Sequence, residues 1–162
     1  MPGDSRFERL SVPLQADLYR AARALTSSDA DALDLLQDTY LKALRAFPSY
    51  REEQHFKAWM FTILRHVHVD RCRRRRLEPG LIEPDAGPLV EAPEPRADAL
   101  PEEVGAALSR LRPSHHVLLL LREVQGFSYR EIAEILGIPP GSVMSGLHHA
   151  RHALRVELAR PR

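Results

Sequence analysis

The chain has 162 residues, 44% of them hydrophobic, and no apolar run long enough to cross a bilayer. No basic leader followed by an apolar segment opens it, and its single Cys72 cannot close an internal disulfide, so secretion is not expected and a reducing cytoplasm is. The net charge of +1 hides a segregation: residues 51–76 hold eight Arg or Lys against three acids, and residues 77–100 hold six acids against one Arg. Adjacent poles of opposite sign argue for a partner with its own charge pattern, which nucleic acid alone would not require.

Residues 1–12 carry no periodicity and are expected to be disordered or a lead-in. From Pro13 to Thr26, Leu14, Leu18, Ala21 and Leu25 recur at helical spacing, until Ser27, Ser28 and Asp29 interrupt. A second helix from about Ala30 to Phe47 is predicted to place Leu33, Leu36, Tyr40, Leu44 and Phe47 on one side. Asp34, Gln37, Asp38 and Lys42 fall largely on another, and Pro48 ends the helix. After a polar loop from Ser49 to Gln54, a third helix carries Phe56, Trp59, Met60, Ile63, Leu64 and Val67, the strongest periodic signal in the chain. It then turns basic in Arg71, Arg73, Arg74, Arg75 and Arg76.

Leu77 to Leu100 contains five prolines, two glycines and six acids, too many breakers and too little apolar surface to fold alone, and reads as a linker. Beyond it Pro101 suits a first helical position, Val104, Leu108 and Leu111 form the apolar side of a short helix, and Pro113 starts another. That helix contains Val117 to Leu121, five consecutive apolar residues; the run could be a strand on periodicity alone, but the flanking helices decide for a buried helix. No alternating strand pattern, glycine-rich phosphate loop or internal repeat occurs elsewhere. The expected fold is all-α: two small helical domains, residues 13–76 and 101–158, joined by an acidic, proline-rich linker over 77–100.

Ser128 to Arg155 contains two short helical patterns around a turn. Ser128 can cap the first, with Glu131 completing a capping box, and Ile132, Ala133, Ile135 and Leu136 give its apolar face. Gly137 stops it; Pro139 and Pro140 suit the entry to a second helix whose stripe is Val143, Leu147, Ala150 and Leu154. The unit reads as a helix-turn-helix, which presents its second helix to the DNA major groove. A plain helical hairpin inside an all-helical core would show the same pattern.

The third helix of the first domain joins aromatic residues to an arginine cluster, a combination suited to single-stranded or melting DNA. Arginines hold phosphates, and rings replace the stacking that a base loses on leaving the duplex. The plainer reading makes Phe56 and Trp59 core and the arginines a solvated helix end favoured by the helix dipole. His148 and His152, and likewise His68 and Cys72, stand four apart, a spacing that can hold a metal, but no third ligand is evident near either pair and no metal or cofactor is expected.

Three segments together carry a resemblance: Asp34-Leu35-Leu36-Gln37-Asp38-Thr39-Tyr40-Leu41-Lys42-Ala43; Phe56-x-x-Trp59-Met60-x-x-Ile63-x-Arg65 with Asp70 and the arginine run; and Ser128 to Arg155. In this order, with an acidic linker between the second and third, the chain resembles the two-domain sigma factors of bacterial RNA polymerase, the extracytoplasmic-function (ECF) group, from about residue 13 to 158.

The resemblance implies a role in promoter recognition, DNA melting and transcription initiation, with no catalytic residues in the chain itself. It assigns the first domain to sigma region 2, and Asp34, Leu35, Gln37, Asp38 and Lys42 to the clamp of the largest catalytic subunit of core RNA polymerase. It assigns Tyr50, His55, Phe56, Trp59, Arg65, Arg71, Arg73, Arg74 and Arg75 to the downstream promoter element, where the loop from Ser49 to His55 pockets a base flipped out of the non-template strand. The acidic linker would thread the polymerase toward its active-site cleft as a mimic of a polyanion, although an ordinary solvated tether would look the same. The second domain would be sigma region 4, placed near the polymerase flap, with Ser128, Arg130, Ser142, Ser145, His148, Arg151 and Arg155 on the upstream promoter element.

Here the sequence departs from the family, which usually reads Gly-Thr-Val-Lys-Ser-Arg-Leu-x-Arg-Ala-Arg. Three basic positions are Met144, Gly146 and His149, and His116 stands where an Arg is common. The resemblance also implies an anti-sigma factor as partner, and no membrane insertion. The alternative is a stand-alone helix-turn-helix regulator that acts without polymerase. A histidine-metal hydrolase lacks a convincing ligand set.

Overall fold

The computed structural model describes residues 2–77 and 100–161, with side chains from residue 5 onward. The chain divides into two compact units, Met1–Glu94 and Pro95–Arg162. Among the described residues there are eight α-helices and no strand, so the all-α expectation holds. The predicted linker lies outside the described residues apart from its ends, Leu77 and Leu100.

The first unit contains α1 (Pro2–Ser11), a 3₁₀ turn (Val12–Leu14), α2 (Gln15–Leu25), α3 (Asp29–Ala46), a second 3₁₀ turn (Phe47–Ser49) and α4 (Phe56–Leu77). Ser28 starts α3 as an N-cap, its Oγ accepting from the Asp31 amide at 3.1 Å. The core is closed by Leu18, Ala21 and Ala22 of α2, Leu35 and Leu36 of α3, and Met60, Phe61, Ile63, Leu64 and Val67 of α4.

Two expectations fail in this unit. The opening residues are a helix packed on the core: Phe7 is 5% and Ser11 1% exposed, and the Tyr40 hydroxyl donates to the Ser11 carbonyl at 2.8 Å. Burying Phe7 contributes about 2–3 kcal/mol, more than the local sequence reveals, because the surface it covers belongs to residues 40–56. The apolar face of α3 is also rotated from the predicted one. Ala32, Leu35, Leu36, Thr39 and Ala43 are buried, whereas Leu44 is 41% exposed and Leu33 only half-buried. The reason is that α3 packs on both α2 and α4, so its core stripe lies between two neighbours instead of facing one. Leu35, expected to reach polymerase, is fully buried and belongs to the core.

The second unit contains α5 (Glu102–Ser109), α6 (Pro113–Leu119) running into a π-helical turn (Leu120–Val124), α7 (Tyr129–Leu136) and α8 (Pro140–Leu158). All five residues of the run Val117 to Leu121 are buried, as their all-round apolarity predicts. The π-helical turn widens the backbone by one residue. Gly126, with φ of 73°, follows it and lets the chain turn into α7.

Candidate nucleic-acid interface

In the first unit the 3₁₀ turn, the loop from Tyr50 to His55 and the start of α4 assemble an aromatic cluster. Phe47 stacks on Tyr50 at 5.7 Å with the planes 12° apart. Tyr50 meets the edge of Phe56 at 5.3 Å and the tilted ring of Trp59 at 5.2 Å, and Phe56 lies 5.6 Å from Trp59. None of these four rings is fully buried. They are partly exposed, neither sealed core nor free surface. The loop is closed on itself: the Tyr50 hydroxyl donates to the Gln54 carbonyl at 2.8 Å, and the His55 carbonyl accepts from the Trp59 amide at 2.9 Å. His55 is exposed.

The arginine helix is shared between fold and surface. Arg71 pairs with Asp38 at 3.1 Å and Arg75 with Asp31 at 3.8 Å, both across to α3, while Lys42 of α3 reaches Asp70 of α4 at 3.8 Å. Arg73 and Arg74 are exposed, Arg65 half-buried. Asp34 and Gln37 are half-buried on α3. Partly exposed pairs such as Arg71–Asp38 contribute about 0–1 kcal/mol each, so they orient side chains without locking them.

His66 and His68 also lie on α4, and burial pushes both below the usual histidine pKa, with Lys42 and Arg65 adding to the shift at His66 and Arg75 and Arg71 at His68. A base whose folded pKa is depressed binds fewer protons when folded than when unfolded, so stability falls as pH drops below the unfolded value of about 6.5. The thermal midpoint of His68→Gln is therefore expected to fall less between pH 8 and pH 5.5 than that of the parent; equal falls would mean that His68 carries none of the acid sensitivity.

In the second unit the capping box is present in full. The Ser128 Oγ accepts from the Glu131 amide and the Glu131 carboxylate accepts from the Ser128 amide, both at 3.1 Å. Gly137, with φ of 64°, ends α7 in the left-handed conformation, and Pro140 opens α8. Val143, Leu147 and Ala150 are buried; Leu154 is half-buried. That leaves Ser142, Met144, Ser145, His148, His149, His152 and Arg155 exposed along α8. Arg130 is exposed on α7, 4.0 Å from Glu134.

Arg151 is fastened within the unit. Its Nε and one Nη donate to the same Glu123 oxygen at 2.9 and 2.7 Å. Next to Glu123, Arg122 donates to the Phe127 carbonyl at 3.0 Å and lies over the Tyr129 ring at 5.0 Å. The π-helical turn thus ties both helices of the motif, α7 through Arg122 and α8 through Glu123. Neither residue is visible as functional in the sequence, since the contact from Glu123 to Arg151 spans 28 positions and follows no helical spacing. Among the described residues no three His, Cys, Asp or Glu gather where they could hold a metal. Cys72 lies 3.6 Å from His68 Nε2, with no further ligand grouped there.

The chain thus carries one helical unit with a partly exposed aromatic cluster and an arginine helix, and a second unit with a capped helix-turn-helix. Sigma-70 region 2 matches residues 12–78 and sigma-70 region 4 matches residues 102–154. YlaC of Bacillus subtilis, an RNA polymerase sigma factor, is 33% identical over 141 residues, covering 81% of this chain and 79% of its own. EcfG of Rhodopseudomonas palustris, an ECF RNA polymerase sigma factor, is 36% identical over 140 residues, covering 83% of this chain and 76% of its own. SigE of Mycolicibacterium smegmatis is 32% identical over 153 residues; the match takes in 88% of this chain but 58% of that protein. Among solved structures, the sigma factor RpoE of Bartonella quintana, crystallised with the anti-sigma factor NepR, superposes with a TM-score of 0.75 at 28% identity, over 97% of this chain and 99% of its own. The chain belongs to the ECF RNA polymerase sigma factors.

Proposed function

We propose that the chain is a promoter-specificity subunit: it binds core RNA polymerase, directs it to a promoter and helps open the DNA, while the polymerase performs all chemistry. The observation that carries this reading is the aromatic cluster of Phe47, Tyr50, Phe56 and Trp59 at the start of α4, the same helix that carries the arginine run in its last turns. A regulator that only docks on duplex DNA has no use for rings held half-open at a loop. A factor that captures a flipped base does, because stacking on aromatic rings offsets an extraction that costs a few kcal/mol.

On this reading Asp34, Gln37, Asp38 and Lys42 face the polymerase clamp. Tyr50, His55, Phe56, Trp59, Arg65, Arg73 and Arg74 face the downstream element, and Arg71 and Arg75 join them by exchanging α3 carboxylates for phosphates. Ser142, Ser145, His148 and Arg155, with Arg130, face the upstream element. Ser128 serves this surface as a cap, and Arg151 serves it by holding α8 to Glu123. The protein acts where the polymerase is, in the cytoplasm, and an anti-sigma factor covering its polymerase-binding faces is the expected regulator.

Reconstitution with core polymerase tests the proposal. Run-off transcription from a defined start, with footprints over two promoter elements, is the expected result. Failure to bind core removes the reading, and operator binding by the chain alone as a dimer would replace it with a stand-alone regulator.

A further inference from the structure

The opening helix α1 touches the promoter-reading loop at both of its ends and at its middle. Phe7 sets its ring edge-on to Phe47, before the loop, at 5.4 Å, and to Phe56, after the loop, at 6.3 Å. It also meets Tyr40 of α3 at 6.3 Å. Arg6 lies over the Phe47 ring, 5.8 Å from its centre, and pairs with Glu52 between Tyr50 and His55. The bond from Tyr40 to the Ser11 carbonyl holds the far end of α1 to α3. Phe7 is almost wholly buried by these neighbours, so the two ends of the loop are packed around a ring that belongs to neither α3 nor α4.

We propose that α1 positions the strand-opening loop, Phe7 setting the separation of its two ends and Arg6 restraining its middle through Glu52. A loop already held in its receiving shape loses less freedom when a base enters, so opening proceeds faster without any added contact to DNA. Arg6 and Phe7 are positioning residues here and touch no base. The inference rests on the promoter-opening role proposed above.

The ion pair separates positioning from plain packing, because Arg6 and Glu52 are 43% and 79% exposed and pairs of that kind add little to stability. Arg6→Glu puts two like charges together. In the full-length protein with core polymerase, it is expected to lower initiation from a duplex promoter by about threefold to tenfold. On a promoter whose non-template strand is already unpaired by mismatches, initiation should stay within about twofold, as should affinity for core. The exchange Arg6→Glu with Glu52→Arg should restore the duplex rate. Phe7→Ala should show the same duplex-selective loss, larger, and Phe7→Leu an intermediate one.

Equal losses on duplex and pre-opened templates, weakened core binding by Arg6→Glu, or no recovery in the exchanged pair would each overturn the proposal and leave α1 as packing alone. A parent protein that fails to initiate on either template would instead remove the sigma-factor reading, and this inference with it.

Discussion

Gly146→Arg, which restores the basic residue common at this place in the family, is expected to destabilise the second unit by up to about 2 kcal/mol. A Cβ at Gly146 would sit 2.7 Å from Leu118 Cδ1, closer than real contacts allow. The atom met is the end of a flexible side chain, so Leu118 can turn aside, but at 6% exposure it must turn into the packed run of α6. Overpacking of this kind costs about 1–3 kcal/mol, and replacing a helical glycine returns at most about 1 kcal/mol. The net loss is therefore about 0–2 kcal/mol. The thermal midpoint of the second unit should fall by up to several degrees, since about 1 kcal/mol moves a domain of this size by roughly 4–8 °C. Leu118→Ala with Gly146→Arg should cost less than the sum of the two single changes, because the Arg stem fills the space that Leu118 leaves. Met144→Arg makes the contrast: Met144 is 61% exposed, so stability should stay within about 0.5 kcal/mol, while the salt dependence of DNA binding steepens by about one. A raised midpoint for Gly146→Arg would show that α6 yields more easily than this packing implies.

Leu35→Ala and Asp38→Ala, three positions apart on α3, are expected to fail in different ways. Leu35 is fully buried between α2 and α4, so truncation should cost about 2–5 kcal/mol and show as a lowered denaturation midpoint. Asp38 is exposed and pairs with Arg71, so its loss should cost no more than about 1 kcal/mol while reducing affinity for core polymerase. Chemical denaturation and polymerase binding, measured on both variants, separate the roles. A stable Leu35→Ala with weakened core binding would return Leu35 to the interface.

The contrast also marks how far the sequence is legible. Strong periodicity located α4, the buried run of α6 and both helices of the motif, and the residues Ser128, Glu131 and Gly137 announced their caps because capping is local chemistry. The core face of α3 was displaced because a helix packed on two others spreads its apolar residues too widely for one stripe to be read. Helix α1 escaped because its burial is supplied by rings 33 to 49 positions away, from Tyr40 to Phe56. The hold of Glu123 on Arg151 escaped for the same reason, since ion pairs between elements leave no spacing in the chain. What the sequence did carry for the candidate site was residue type: the aromatic pair at Phe56 and Trp59, the arginine run, and the missing charges at Met144 and Gly146. The geometry then divided those residues between fold and surface.

The aromatic cluster has a spectroscopic consequence. Trp59 is the only tryptophan in the chain and sits 5.2 Å from Tyr50 and 5.6 Å from Phe56. Indole emission from this chain therefore originates at the start of α4 in the first unit alone, and the second unit contributes none of it. Base capture would quench or shift that emission, whereas docking of the helix-turn-helix would leave it unchanged. The order of the two events on a promoter can thus be followed without attaching a label.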